Sequence, residues 1–386
     1  MKVTKFCFLK KILFTCFISL LLSCKEENKL SIPPAKPLET NTIKYAKGFT
    51  VEKSNSGIST ITITSPWPNA ESAFTYALVP RDILATVTLN KDAYDAIVTI
   101  PVERLVVTST THIPALGVDE KLIAFPDTKY ISSQRTRKRI ESGDIKELGN
   151  NESLNTEMVI ELHPDLVVGF SISSQNKAYE TIQRSHIPVV YNGDWTEETP
   201  LGKAEWIKFF APFFQKEKEA ELIFSDIEKS YVEAKVLAKT ADKKPNVISG
   251  ALYKDVWYTP GGKSWAAQFL KDANANYLWE DTEETGSLSL SWEAVLEAGQ
   301  HSDFWIGPAQ FTSYQNLEEG SLHYKQFDAY KSKKVFTFAK TKGATGGLLY
   351  YELAPQRPDI VLKDLIHILH PELLPDYQPY FFKPLD

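Results

Sequence analysis

The chain has 386 residues, 43% hydrophobic and 12% aromatic, with 43 Lys and Arg against 49 Asp and Glu for a formal charge of −6. An acidic chain without blocks of basic residues excludes the usual electrostatic footprint of a nucleic-acid binder. Of its three cysteines, Cys7 and Cys16 fall in the extreme N-terminal run, so Cys24 alone remains beyond it, which excludes a disulfide framework and a cysteine-ligated zinc or iron–sulfur site.

The first element reads as an export address. Lys2, Lys5, Lys10 and Lys11 precede an apolar run from Ile12 to Leu22, broken by Thr15 and Ser19 and too short to span a bilayer comfortably. Ser23 then stands before Cys24, and "LLSC" resembles the lipobox of bacterial lipoproteins, in which the cysteine becomes the acylated first residue after cleavage. That resemblance makes residues 1–23 a signal peptide and Cys24 the lipidated residue; the plain alternative is an ordinary cleaved signal with an incidental cysteine. Cleavage would remove four lysines and no acid, moving the formal charge from −6 to −10. Residues 24–43 carry charge and proline without an apolar period and read as a tether to the membrane. The expected location is the bacterial cell envelope, lipid-anchored and facing the periplasm, with the cell surface as the other possibility because a charged run after the cysteine resembles known surface-export signals.

From residue 44 to about 100, alternating stretches such as "ISTITITSP" and "DAIVTIP" predict a hairpin and accessory strands. Short apolar strands then alternate with helical stretches: "RLVVTS", "KLIAFP", "DLVVGF" and "IPVVYN", with "SQNKAYETIQRS" as a crossover helix. That is the signature of a parallel, doubly wound α/β layer, whose ligand lies beyond the carboxyl ends of the strands. "KEKEAELIFSDIEKSYVEAKVLAKTADKK" follows, with Ala220, Ile223, Phe224, Ile227, Tyr231 and Ala234 recurring at three and four, and predicts one uninterrupted helix of about 25 residues. A second α/β series runs through "PNVISGA", "NYLWED", "DFWIGP" and "KVFTFA" to a last helix from Pro358 to His370. The expected fold class is therefore α/β, two Rossmann-like lobes joined by a single long helix, with N-terminal accessory strands. The divisions fall at 44–199 for the strands and first lobe, 200–244 for the connecting helices and 245–386 for the second lobe.

Two segments share a layout. "NTEMVIELHPDLVVGF" and "SWEAVLEAGQHSDFWIG" each open on an N-cap, Asn155 or Ser291, with an acid two residues on, an apolar helix, a His-x-Asp turn and a strand. Glu157 and Glu293 thus occupy matching places in the two lobes. Stabilisation of a first-turn carboxylate by the helix dipole would account for each separately, and common descent of the lobes for both.

The sequence resembles the iron-complex and cobalamin substrate-binding proteins of ABC importers, the class whose lobes are joined by a helix. The resemblance rests on "RLVVTSTTHIPALG", "SLNTEMVIELHPDLVVG", "TPLGKAEWIKFFAPFF", "VWYTPGGKSWAAQFLKDANANYLWED", "LSLSWEAVLEAG" and "RPDIVLKDLIHILHPELLPD", in that order from about residue 95 to the end. It implies capture of an iron–siderophore, haem or corrinoid cargo between the lobes and delivery to a permease dimer in the inner membrane, with Glu157 and Glu293 docking on the two permease subunits. It also implies little closure, no catalysis, no resident cofactor and a monomer. Where many relatives carry a polar Gly-Gly-Asn-Asp-Tyr type loop, this chain reads "TGGLLYYELAPQRPD", with Leu348 and Leu349 in place of the polar pair, so a reshaped cleft is expected.

Walls of such a cleft should come from "STTHIP", "FSISSQ", "YKDVWYTPGGKSW" and "GATGGLLYYE". Trp257, Tyr258, Trp265, Tyr350 and Tyr351 offer flat faces to a macrocycle or catecholate, although about half of such an aromatic set belongs in a core. Thr111, Ser171 and Arg357 are the polar candidates, and His112 a candidate for reaching a ligand's metal, each weighed against capping or packing. Arg135, Arg137 and Arg139 could steer an anionic chelate or simply face solvent. Gly261 and Gly262 permit close approach of a ligand or merely a turn. His367 and His370 read as packing or capping, and the scattered histidines make no site for a bare metal. An envelope hydrolase or reductase on the same fold finds no G-x-S-x-G, phosphate loop or H-E-x-x-H to support it. Two further readings are a surface lipoprotein serving an outer-membrane transporter and an adhesive envelope protein.

Overall fold

The computed structural model describes residues 43–386; the expected export signal, Cys24 and all but the last residue of the tether lie outside the described residues. Strands β1 (Phe49–Lys53), β2 (Ser59–Ile63), β3 (Phe74–Pro80) and β4 (Ala96–Ile100) form one sheet in chain order, antiparallel except for the parallel β3/β4 pair. In β2 the sequence STITI buries Ser59, Ile61 and Ile63 and turns the threonines outward, as a period of two requires. The buried face packs on Trp206, Phe209, Phe210 and Phe213, with Phe49 and Trp206 ring centres 4.5 Å apart.

Two acids attach this sheet to the connecting helices. Glu205, fully buried, accepts the backbone N–H groups of Lys44 (2.9 Å), Tyr45 (2.6 Å) and Ala46 (2.9 Å) and pairs with the Lys208 ammonium at 3.1 Å. Glu197 accepts from the N–H groups of Lys47 (2.9 Å) and Gly48 (2.8 Å) and from the Trp206 indole (3.1 Å).

The first α/β sheet contains β5 (Leu105–Val107), β6 (Leu122–Phe125), β7 (Lys146–Glu147), β8 (Leu166–Gly169) and β9 (Val189–Tyr191) in the order β7-β6-β5-β8-β9, parallel throughout. Every residue of β5, β8 and β9 is buried, so these strands read as unbroken apolar runs. The chain reverses its direction of progress across the sheet between β5 and β8, the switch point that opens a crevice beyond the strand ends.

The linker helix spans Glu217–Ala238, 22 residues or about 33 Å, and buries Ala220, Phe224, Ile227, Tyr231, Ala234 and Ala238. Its expected stripe is the observed one apart from half-buried Ile223. The Tyr231 hydroxyl donates to Asp272 (2.7 Å) and Lys235 pairs with the same carboxylate at 2.8 Å, fixing the helix to the second lobe.

That lobe begins with β10 (Asn246–Ser249), continues through an antiparallel pair, β11 (Ala251–Tyr253) and β12 (Val256–Pro260), and then β13 (Asn276–Tyr277) and β14 (Ser287–Leu290), the last joining β12. Strands β15 (Phe304–Ile306), β16 (Val335–Thr337) and β17 (Lys383–Pro384) complete a five-stranded sheet in the order β13-β10-β15-β16-β17, parallel except for the final pair. Its switch point lies between β10 and β15. The last helix runs from Pro358 to Leu369 as expected, and Asp364 on it accepts from the N–H groups of Tyr380, Phe381 and Phe382 at 2.9, 2.6 and 2.9 Å, holding the chain end in place as β17.

The repeated segments are structurally equivalent. Asn155 and Ser291 cap their helices by accepting from the N–H groups of Met158 (3.0 Å) and Ala294 (3.2 Å), and Glu157 and Glu293 lie exposed in the two first turns. Each His-x-Asp turn then ties the next strand to the first strand of its sheet. The Asp165 carboxylate takes the N–H groups of Glu103 and Arg104 (2.9 and 3.0 Å), and that of Asp303 takes the N–H of Asn246 (2.8 Å).

Replacing Glu205 by Gln keeps the shape but removes the charge and one of its two acceptor oxygens. The expected loss is about 2–4 kcal/mol of stability in chemical denaturation, against less than about 0.5 kcal/mol for Glu198→Gln on the neighbouring surface. Equal effects of the two substitutions would remove Glu205 as the anchor of the accessory sheet.

Candidate binding cleft between the lobes

Two cavities lie beyond the carboxyl ends of the two parallel sheets. The larger, about 660 Å³, opens at the switch point of the second lobe, where Gly250 follows Ser249 at the end of β10 and Gly307 follows Ile306 at the end of β15. Tyr258, Trp265, Phe311, Phe338, Tyr350 and Tyr351 supply its rings. The smaller, about 390 Å³, lies against the first lobe at Thr108–Thr110, Phe125–Asp127, Tyr130 and Phe170. Gln310 and Tyr351 line both, so the two spaces meet along a single seam between the lobes.

The second lobe reaches across this seam with residues 343–356. The Thr345 hydroxyl donates to the Lys129 carbonyl (2.7 Å), and the Gln356 amide donates to the Thr111 carbonyl (3.0 Å). Glu352, almost fully buried, accepts from the N–H groups of Ser132 (2.5 Å) and Ser133 (2.9 Å). Burial pushes its carboxyl upward, and those two donors partly offset the shift. A side chain at Gly347 would meet the Tyr130 carbonyl at 2.2 Å, so the bare backbone is what lets the loop lie on the first lobe. Leu348 lines the smaller cavity.

The sequence candidates divide by strand register and by partner. Tyr258, Trp265, Tyr350 and Tyr351 line the larger cavity, with Tyr350 stacked on Phe338 at 4.5 Å. Trp257 does not. The expected loop is strand β12, and its alternation sends Tyr258 to the cleft and Trp257 into the core, where it stacks on Trp305 at 5.5 Å and donates to the Ser249 carbonyl. Gly261 and Gly262 pack against the backbone of residues 279–284, leaving them no room to receive a ligand.

His112 is fully buried beside Phe210, 5.4 Å between ring centres, and lines neither cavity. Neither ring nitrogen makes a hydrogen bond, and burial lowers its pKa, with the charge of Asp194 opposing. Thr111 and Ser171 sit in loops at the cleft edge without lining it; the Ser171 hydroxyl donates to the Ser173 carbonyl (2.7 Å). Arg357 makes a two-pronged pair with Asp359, 2.9 Å on each arm, and is also absent from the lining. Arg135 pairs with Asp119 and Glu120, while Arg137 and Arg139 donate to main-chain carbonyls. His370 hydrogen-bonds the Ala273 carbonyl and His367 that of Leu374. Among the described residues no three His, Cys, Asp or Glu side chains converge as a metal site, and no helix is long and apolar enough to cross a membrane.

Sequence reasoning missed Gln310 and Phe311 after β15, Phe338 after β16, and Asp127 and Tyr130 after β6. The signal that could have found them is the rule already applied to the neighbouring loops, that residues just past each parallel strand face the crevice.

Paired lobes, paired switch points and one connecting helix define a two-lobed solute-binding protein. The sequence model described as periplasmic binding protein matches residues 106–341, and the chain belongs to that family. Strands β1–β4 precede the matched region. The chain is 26% identical over 298 residues to an uncharacterized lipoprotein of Methanocaldococcus jannaschii, covering 74% of this chain and 69% of that one. Among solved structures, a possible iron-binding (periplasmic solute-binding) protein from Staphylococcus epidermidis superposes with a TM-score of 0.53 at 18% identity, over 70% of this chain and 99% of that one. The periplasmic haem-binding protein of Vibrio cholerae gives 0.52 at 18%, over 67% and 99%. The triscatecholate siderophore-binding protein of Bacillus subtilis gives 0.53 at 16%, over 70% and 94%. At these identities the structural likeness is one of fold.

The buried imidazole gives a pH prediction. A group whose folded pKa is depressed adds stability above its unfolded pKa, about 6.5 for histidine, and loses that contribution as pH falls through the folded value. The full-length protein should therefore lose stability from pH 7 downward, His112 contributing at most about 1.4 kcal/mol per pH unit, and His112→Phe should flatten the slope. Parallel profiles for the two proteins, measured by thermal unfolding between pH 7.5 and 5.5, would remove His112 as a source of the decline.

Proposed function

We propose that this protein is the substrate-binding component of an ABC importer, a lipid-anchored envelope protein that takes up a metal complex of the siderophore, haem or corrinoid kind in the cleft and delivers it to an inner-membrane permease. The observation that carries the reading is the seam at Gln310 and Tyr351, where cavities from the switch points of both lobes meet between aromatic walls. Family membership and the lipoprotein relative support it. A chelated metal asks the protein for shape and flat apolar faces, since the chelator supplies the metal's ligands.

In this reading Glu157 and Glu293 are the docking acids, one per lobe. Both are exposed, and they occupy equivalent first turns of equivalent helices. Two matched carboxylates at a fixed spacing suit a permease dimer that offers a basic site on each subunit. The proposed divisions are 44–199, 200–244 and 245–386, with the linker helix as the stiff element between lobes.

Replacing both Glu157 and Glu293 by Ala should leave the unfolding midpoint and chelate affinity within about twofold of the parent, because neither side chain lines the cleft, while uptake in cells falls at least about tenfold. Uptake at the parental level in the double variant would end the docking assignment, and an uptake loss matched by lost affinity would place the two acids in ligand binding instead.

A further inference from the structure

We infer that the cleft selects electroneutral or cationic chelates and rejects polyanionic ones, an inference that rests on reading this cleft as a metal-complex site. Among the described residues lining the larger cavity there is no Asp, Glu, Lys, Arg or His. The smaller cavity adds one charged residue, Asp127, an acid whose carboxylate is paired with Lys129 at 3.0 Å. Burial raises the pKa of both Tyr350 and Tyr351, so their phenols stay neutral and present ring faces and hydroxyl groups.

The basic groups that could have served an anion are committed elsewhere. Arg357 is held two-pronged by Asp359, Arg135 is paired with Asp119 and Glu120, and Arg137 and Arg139 spend donors on backbone carbonyls. Lys203 is the most telling case. Its buried ammonium lies 5.4 Å from the centre of the Trp265 ring, a wall of the larger cavity, yet it donates to the carbonyls of Asp194 and Trp195 at 3.0 Å each and does not itself line the cavity. Lys254, over the Tyr253 ring, is exposed, where solvent and salt screen its charge.

A multiply charged anion entering this space would give up its hydration without gaining an ion pair, the costliest form of burial. An uncharged chelate loses little by the same move and gains contact with the rings, and a cation gains attraction to their faces. The formal charge of −6 acts in the same direction at longer range. Neutral ferric hydroxamates and corrinoids meet the requirement; ferric tris-catecholates, with three negative charges, do not.

The test is tryptophan-fluorescence titration of the full-length protein in detergent with a neutral ferric trihydroxamate, a monocationic ferric trihydroxamate, a trianionic ferric tris-catecholate, cyanocobalamin and haemin. At least one neutral or cationic complex should bind about 100-fold or more tightly than the tris-catecholate. Tighter or equal binding of the tris-catecholate overturns this inference and leaves the solute-binding function standing. Binding of none of the five removes both this inference and the metal-complex reading of the cleft. Ala266→Lys, which places an ammonium at a half-buried position in the wall of the larger cavity, should raise the affinity ratio of tris-catecholate to neutral trihydroxamate at least about tenfold. An unchanged ratio in a variant that still folds would mean that charge is not what the cleft reads.

Discussion

A buried or half-buried carboxylate that accepts several backbone N–H groups from a distant segment is the interaction on which this structure depends. Glu205 and Glu197 hold residues 44–48, Asp165 holds the entry to β5, Asp364 holds residues 380–382, and Glu352 holds residues 132 and 133 of the opposite lobe. Each acts where the chain is in neither helix nor sheet, so its N–H groups have no regular partner. One ionised group satisfies two or three of them with charge-assisted bonds, and its removal would leave them all unpaired.

The cleft inherits its geometry from these points. Asp165 and Asp303 help set β8 beside β5 and β15 beside β10, and the crevice at each switch point opens beyond those strands. The linker helix sets the separation of the lobes on one side, and the crossing segment 343–356 joins them on the other. Walls mounted on two scaffolds and joined at both margins are pre-organised, which lowers the entropic cost of receiving a solute.

Much of this was legible from residue patterns. Fully buried parallel strands must be apolar throughout, and a helix facing two lobes must repeat at three and four, so the strands of both lobes and the linker helix stand close to their expected positions. The four expected loops do contribute to the cleft, through Thr110, Phe170, Tyr258 and Tyr351 among others. Individual residues were harder. Trp257 and Tyr258 are adjacent and chemically alike, and only the pairing of β12 with β11 and β14 decides that one stacks in the core and the other meets the cavity. His112 and Arg357 looked available because their partners, Phe210 and Asp359, are invisible as contacts until the chain is folded.

The amino-acid sequence by itself determined the α/β class, the helical joint, the repeated cap-acid-turn units and the aromatic character of the loops, because each is a local pattern governed by backbone period, capping or composition. Tertiary structure alone decided which rings face the cleft, which arginines are already spent, and that a single loop from the second lobe seals against the first. Those outcomes turn on contacts between residues as far apart as Ser132 and Glu352, and no local pattern encodes a partnership across that distance.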